Sequence, residues 1–317
     1  MASYSSENLS NINKLRPNYE FKDHVNSRNK VFRIPDVITS SSKNTKKDTL
    51  YYKDKYISSG TFGYVYRYVS DNKKKNITVK ILSQKSDDCF DTVKILKKGV
   101  KATGRNHVLS QRCITGKVKN TKVLVMQTMD GNLSEFNYKQ KIPYKTKVDC
   151  VIQLIQGLRL IKEKLSYLDV KPANFLYKKN KKSIYFCVGD LDVCHASGKG
   201  HIVATYWPPE HYNRNMELCN KKATVFGMGL FILNLFLGNI YKLHWGRRMN
   251  GQPFHVQIHY MLRIIYNIQY DVNSENFPDV NEQDIKTIKR SVDYFPDNRP
   301  TLKTMERLFR RLRKKLK

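Results

Sequence analysis

Asp169, Lys171, Asn174 and Asp190 bring two carboxylates, an amine and an amide into one short part of the chain. Asp169-Val170-Lys171-Pro172-Ala173-Asn174 follows a run with helical spacing (Val151, Leu154, Ile155, Leu158, Ile161, Leu165). It precedes an apolar strand over 183–188 that ends in Gly189-Asp190-Leu191-Asp192. The four groups are thus presented from two loops flanking a short hairpin. Such a set suits phosphoryl transfer, where catalysis is mostly positioning and charge neutralisation. One carboxylate can take a hydroxyl proton, and a carboxylate with an amide oxygen can hold Mg²⁺ through hard oxygen ligands. Taken alone, the same residues also read as a polar turn closing a helix.

A second group lies upstream. Ser58-Ser59-Gly60-Thr61-Phe62-Gly63-Tyr64-Val65 sits between two strand-like runs, and its glycines let backbone approach phosphate oxygens closely. A lone G-x-x-G is more often an ordinary hairpin turn. Lys80, at the end of Ile77-Thr78-Val79-Lys80, points one charge into an apolar layer. That charge needs an anion, and nucleotide phosphates would serve.

The elements that must position these groups follow from periodicity. Residues 51–57, 64–69 and 77–82 are alternating or β-rich runs, separated by Gly and by Asn72-Lys73-Lys74-Lys75. Residues 91–101 read as a helix with Val93, Leu96 and Val100 on one side, and strands are expected near 108–117 and 122–128. After Asp130 helical periodicity dominates, interrupted by the hairpin at 170–190. The run 223–237 is almost continuously apolar, yet it is shorter than the ~20 residues of a membrane span and contains Asn234. A helix buried on all sides is expected there. Residues 1–48, rich in Ser, Asn and Lys, read as a flexible polar tail with a short ordered piece around 31–35. The division is therefore tail 1–48, a β-rich lobe 49–129 and a helical lobe 130–317, an α+β organisation.

Composition narrows the classes. With 40% hydrophobic residues, 20 Tyr and 14 Phe, a wholly disordered chain is excluded. Lys and Arg number 58 against 27 Asp and Glu, a net charge of +31 that favours polyanions: nucleic acid, anionic membrane or acidic protein. Spread over solvated faces, the same charge would have no specific partner. The six cysteines lie far apart with no C-x-x-C, so no zinc site is expected from Cys194, His195 and His201. Reduced thiols in a cytoplasmic or nuclear setting fit better. The polar start Met1-Ala2-Ser3-Tyr4 carries no secretory signal.

The motifs, taken in order, resemble those of eukaryotic-type protein kinases, over about residues 50 to 312. They are the glycine loop, Ile77 to Lys80, Tyr167-Leu168-Asp169-Val170-Lys171-Pro172-Ala173-Asn174, Asp190-Leu191-Asp192, Tyr206-Trp207-Pro208-Pro209-Glu210 and Pro296-Asp297-Asn298-Arg299-Pro300-Thr301. The resemblance implies a two-lobed kinase fold using ATP and Mg²⁺. It implies that Ser58, Gly60, Gly63 and Val65 cover the nucleotide and that Lys80 contacts its α- and β-phosphates. Met126 would stand at the back of the adenine pocket, with the backbone of Gln127 and Met129 pairing to adenine and Asp130 reaching the ribose. Asp169 is similar to the catalytic base, Lys171 to the lysine near the γ-phosphate, and Asn174 and Asp190 to the metal ligands. Lys171 resembles the Ser/Thr-specific branch, and Glu210 with Arg299 resembles a buried pair of the large lobe. The lysine- and asparagine-rich chain also resembles the compact kinases of large DNA viruses.

The departures carry information too. Ser58 replaces the first loop glycine, and Tyr167-Leu168 replaces the His-Arg that precedes the catalytic aspartate. Without that arginine a phosphorylated activation segment has no cation to dock on. Asp192 replaces the glycine of D-F-G, and Thr224 stands where the family has an aspartate. No Glu occurs between Glu20 and Glu135, so the helix glutamate that holds the lysine has no counterpart; Asp87, Asp88 and Asp91 are the nearest acids, with Lys97 and Lys98 close to the expected place. The expected function is a protein Ser/Thr kinase with a phosphorylation-independent activation segment. Its rivals are a pseudokinase scaffold and a polyanion-binding protein on a kinase fold. The last eleven residues hold seven cations, with Leu308, Leu312 and Leu316 on one helical face, and read as a final helix with a basic end.

Overall fold

The computed structural model of the protein describes residues 15–25, 31–41, 48–60, 63–82, 107–109, 111–115, 122–134, 142–162, 169–181, 183–191, 208–212, 221–237 and 272–316, with single positions between 256 and 270. The chain forms two compact units, one of residues 1–95 with 109–128 and one of 96–108 with 129–317.

The first unit is a seven-stranded antiparallel sheet: β1 (Leu15–Val25), β2 (Val31–Ser41), β3 (Asp48–Gly60), β4 (Gly63–Ser70), β5 (Asn76–Leu82), β6 (Gln111–Thr115) and β7 (Lys122–Gln127). Their spatial order is β1-β2-β3-β4-β5-β7-β6. The sheet curls, so that β1 comes back to within reach of β6. Period-two alternation sorts the side chains. Tyr64, Tyr66 and Tyr68 of β4 are buried on one face with Ile77, Val79 and Ile81 of β5. Val65 and Lys80 are paired on the other.

Here the structure departs from the expected tail. Residues 15–25 and 31–41 are strands, β2 pairs with β3, and Ile34 and Ile38 enter the tyrosine core. Composition misleads at these positions because a sheet edge supplies hydrogen bonds to a polar strand whatever its side chains. Pro17 lies on the edge strand β1, and Pro35 faces Phe21 where the β1–β2 register shifts, both places where a missing N–H is tolerated. The helix expected over 91–101 lies outside the described residues.

The second unit is mainly helical: α1 (Tyr144–Lys162), α2 (Pro209–Tyr212), α3 (Lys221–Leu237), α4 (Glu282–Arg290) and α5 (Leu302–Lys315), with a small sheet β10-β9-β8 of Ile184–Val188, Phe175–Lys179 and Gly131–Asn132. Helix starts follow local chemistry. Asn281 accepts from the Asp284 N–H at 2.8 Å and Thr301 from the Thr304 N–H at 3.1 Å, capping α4 and α5. α4 also places Glu282 and Asp284 in its first turn and Lys289 and Arg290 in its last, matching its dipole. α3 is buried from Ala223 to Leu235, as an all-apolar helix must be in water. No helix among the described residues is long and apolar enough to cross a membrane. α5 packs on α1, where buried Glu306 receives Arg159, Arg310 and, at 3.1 Å, Gln156. Residues 107 and 108 join this unit by the Val188 N–H bond to the His107 carbonyl at 2.9 Å and a Val108–Val188 bridge.

Candidate active site

In the sheet unit, β3 ends at Gly60 and β4 begins at Gly63, and these two pair directly. Gly63 has φ +151°, and a Cβ there would lie 1.8 Å from the Ile81 carbonyl oxygen. Only glycine lets β4 pass that close to β5. Residues 61 and 62, the tip of the loop, lie outside the described residues. Ser58 is exposed on β3 and opposes Val65, Val65 opposes Lys80, and Lys80 opposes Leu124. Directly opposed residues share a face, so one row crosses the sheet from the glycine turn to the lysine. Lys80 is only 9% exposed, an ammonium in an apolar layer. Two residues before it, on the same face, Thr78 opposes buried Met126, and its hydroxyl donates to that of Thr128 at 3.2 Å. Met126 and Gln127 end β7. The predicted sheet residues Ser58, Gly60, Gly63, Val65, Lys80, Met126 and Gln127 thus fall at neighbouring register positions. Asp87, Asp88, Asp91, Lys97 and Lys98, the residues nearest the place of the family's helix glutamate, are outside the described residues.

In the helical unit, Asp169, Lys171 and Asn174 form one hydrogen-bonded group. Lys171 Nζ donates to Asp169 Oδ2 at 2.6 Å, and Asn174 Nδ2 donates to the same oxygen at 2.8 Å and to the Asp169 carbonyl at 2.9 Å. Pro172–Asn174 is a 3₁₀ turn, opened by proline at a position that needs no N–H. Asp169 and Asn174 are each 5% exposed, whereas Lys171 is half-buried. With both donors on Oδ2, Asp169 Oδ1 is left as the acceptor for an incoming hydroxyl. With its amide nitrogen turned to Asp169, Asn174 keeps Oδ1 available. The Gly189 N–H donates to the Asn174 carbonyl at 2.8 Å, tying the Asp190 loop to this turn. Asp190 itself has φ +48°, a left-handed conformation that aspartate tolerates better than most and that concentrates at functional sites. An amide oxygen and one carboxylate form the small, hard donor set that Mg²⁺ takes beside water and phosphate oxygens. Met129 and Asp130 begin the longer segment of this unit; the Asp130 carboxylate accepts from the Lys179 N–H at 2.7 Å, and its own N–H donates to the Tyr177 carbonyl at 2.9 Å.

The Asp169 turn is braced by α3. A Cβ on Gly227 would lie 2.8 Å from Val170 Cβ, so glycine is what lets the helix touch the residue after Asp169. Phe231 meets Phe175, the residue after Asn174, edge to face at 4.8 Å. No motif points to these two α3 residues. Their signal is a Gly-x-Gly inside an otherwise continuous apolar run, which marks close packing rather than flexibility. Thr224, in place of the family's aspartate, is buried in the first turn of α3.

Glu210 and Arg299 are paired as expected. The guanidinium grips the carboxylate through two parallel bonds of 2.7 Å, with the residues 4% and 1% exposed. Its remaining N–H groups reach the carbonyls of Asp293 at 2.8 Å, Tyr294 at 3.1 Å and Lys222 at 3.2 Å. Its plane lies over Phe226 at 4.8 Å. Tyr167, Leu168, Asp192, Cys194, His195, His201, Tyr206 and Trp207 are outside the described residues. A search of curated proteins found no match. Residues 51–308 match the family model described as the protein kinase domain. β1 and β2 precede that span, while the glycine turn, Lys80, the Asp169 turn and the Glu210–Arg299 pair all fall within it, and the chain belongs to the protein kinase family.

Proposed function

We propose that the chain is an active kinase that transfers the γ-phosphoryl group of ATP to Ser or Thr hydroxyls of proteins. The observation that carries this reading is the Asp169 turn: one carboxylate oxygen fixed by Lys171 and Asn174, the other left to accept a proton. Asp169 accepts the substrate hydroxyl's proton as that oxygen bonds to the γ-phosphorus and the bond to the β–γ bridging oxygen breaks, releasing ADP. Lys171 neutralises charge beside the transferred group. Lys80 holds the α- and β-phosphates, Ser58, Gly60, Gly63 and Val65 cover them, and Met126 backs the adenine. The backbone of Gln127 and Met129 pairs with the base and Asp130 serves the ribose. Asn174 and Asp190 hold Mg²⁺, which when bound offsets phosphate charge.

Lys171 supports Ser/Thr rather than Tyr specificity. Leu168, in place of arginine, supports activity without prior phosphorylation of the activation segment. Buried, unbridged Cys150 and Cys187 support work in a reducing compartment, cytoplasm or nucleus. The positive charge supports an acidic partner or substrate. The sequence 21–134 contains no Glu, which favours a second reading as a pseudokinase scaffold.

Purified protein with labelled ATP, Mg²⁺ and basic and acidic test proteins separates the two. Phosphorylation of Ser or Thr is expected, abolished by Lys80→Met and by Asp169→Asn. Mg²⁺-ATP is also expected to raise the melting temperature, since a ligand of the native state alone stabilises it. Equal residual activity in wild type and Asp169→Asn would hand the case to the scaffold.

A further inference from the structure

The cations of α5 divide into those that close the fold and those that do not. Leu302, Met305, Leu308, Phe309 and Leu312 are buried and turn one side of the helix to the core. On its flanks Arg311 binds Asp284 of α4, Arg313 binds Asp149 of α1, and Lys315 donates to the Asp279 carbonyl at 2.8 Å. Arg310 reaches back to Glu306 at 2.8 Å, an acid also held by Arg159. The acids Asp149, Asp284 and Glu306 are therefore already matched, and each lies under an arginine.

Lys303, Arg307 and Lys314 remain, all exposed and with no anion beside them among the described residues. With Arg310 they occupy positions i, i+4, i+7 and i+11. At about 100° per residue the four fall within roughly 60° of one another, and at 1.5 Å rise they span about 16 Å. They form a single positive ridge opposite the buried leucines. Its neighbours on the helix surface, Thr304, Arg311 and Lys315, add no apolar anchor.

We propose that this ridge is a binding surface for the phosphodiester backbone of nucleic acid, read without sequence preference. A row of three unmatched cations, Lys303, Arg307 and Lys314, around Arg310 supplies what a phosphate backbone needs: point charges and forked donors at successive turns. A protein partner fits less well, because interface cores are poor in lysine and built on aromatic or aliphatic anchors. A membrane fits less well too, because the apolar face of α5 is spent inside the protein and cannot insert. The chain's net charge of +31 steers any polyanion toward it. Binding at the ridge does not depend on phosphotransfer.

Fluorescence anisotropy of the full chain with a labelled mixed-sequence oligonucleotide, single-stranded and duplex, tests it. The ridge triple Lys303→Gln, Arg307→Gln, Lys314→Gln is compared with Lys55→Gln, Lys74→Gln, Lys75→Gln, which removes equal charge from exposed positions of the sheet unit. At about 50 mM salt the ridge triple should bind at least about tenfold more weakly, and its slope of log K against log salt should be shallower by roughly 1 for each phosphate no longer held. The control triple should bind within about twofold of wild type, as general charge alone predicts only a weak change. The charge-keeping triple Lys303→Arg, Arg307→Lys, Lys314→Arg should bind like wild type, and melting curves show that each variant folds. Equal weakening by both triples would overturn the assignment. So would no oligonucleotide binding by wild type, tighter binding to poly-glutamate, or tighter binding to phosphatidylserine vesicles.

Discussion

Arg299 uses all five of its N–H groups, two on Glu210 and three on backbone carbonyls from two different segments. A buried charge is tolerated only when matched, and this one is matched completely. Removing the arginine leaves the Glu210 carboxylate desolvated and takes the side-chain donor from the carbonyls of Asp293 and Tyr294, a loss of about 3–5 kcal/mol for a broken buried pair. Arg299→Ala is therefore expected to lower the urea midpoint steeply, and Arg299→Lys to recover little of it, because an ammonium cannot make the two parallel bonds. Recovery of wild-type stability by Arg299→Lys would show that charge alone matters there. This pair was legible in the sequence because Pro-Pro-Glu and Arg-Pro are short and specific. The hydrogen bonds to Asp293, Tyr294 and Lys222 were not, since backbone carbonyls carry no residue signature.

At the scale of elements, α3 sets the height of the Asp169 turn through Gly227. Gly227→Ala would push a methyl group into Val170, and overpacking of this kind costs about 1–3 kcal/mol. The expected outcome is a drop in kcat well beyond the loss of stability, with KM for ATP little changed, because the shifted residue adjoins Asp169. Unchanged kcat would detach α3 from the site. The packing of α5 on α1 gives a pH dependence. Burial pushes the Glu306 carboxyl up, but hydrogen bonds from Arg310, Arg159 and Gln156 outweigh it and hold the group below the ordinary glutamate value of 4.5. A depressed folded value means stability present above the unfolded pKa and lost as pH falls through the folded one. Urea unfolding should thus show Glu306→Gln much weaker than wild type at neutral pH, the gap closing in acid; a constant gap would contradict this. Most elements were readable: β4 and β5 from alternating or β-rich runs, β7 as a strand near 122–128, α1 from its period and α3 from its almost continuous apolar run. β1 was not, and β2 only as an ordered piece around 31–35, because its two core residues, Ile34 and Ile38, stand beside stretches rich in Ser, Asn and Lys. Pairing with β3, which no local pattern announces, is what makes strands of them.

For the molecule as a whole, two thiols report on integrity. Burial pushes Cys150 and Cys187 well above the ordinary thiol value, with Asp149 adding to the rise at Cys150. Neither is expected to react with a thiol reagent in the native protein, and both should react at the rate of global unfolding, read by mass spectrometry. Fast labelling under native conditions would reveal an opening that spares the rest. The Glu210–Arg299 pair spans 89 positions of sequence, and α5, which covers α1, comes later still. A ribosome therefore exposes the greasy α3 and an unmatched Glu210 well before their partners exist. The helical unit must fold after its synthesis is nearly finished rather than alongside it, so its yield will follow chaperone supply, and premature termination before Arg299 will leave a product fit only for degradation.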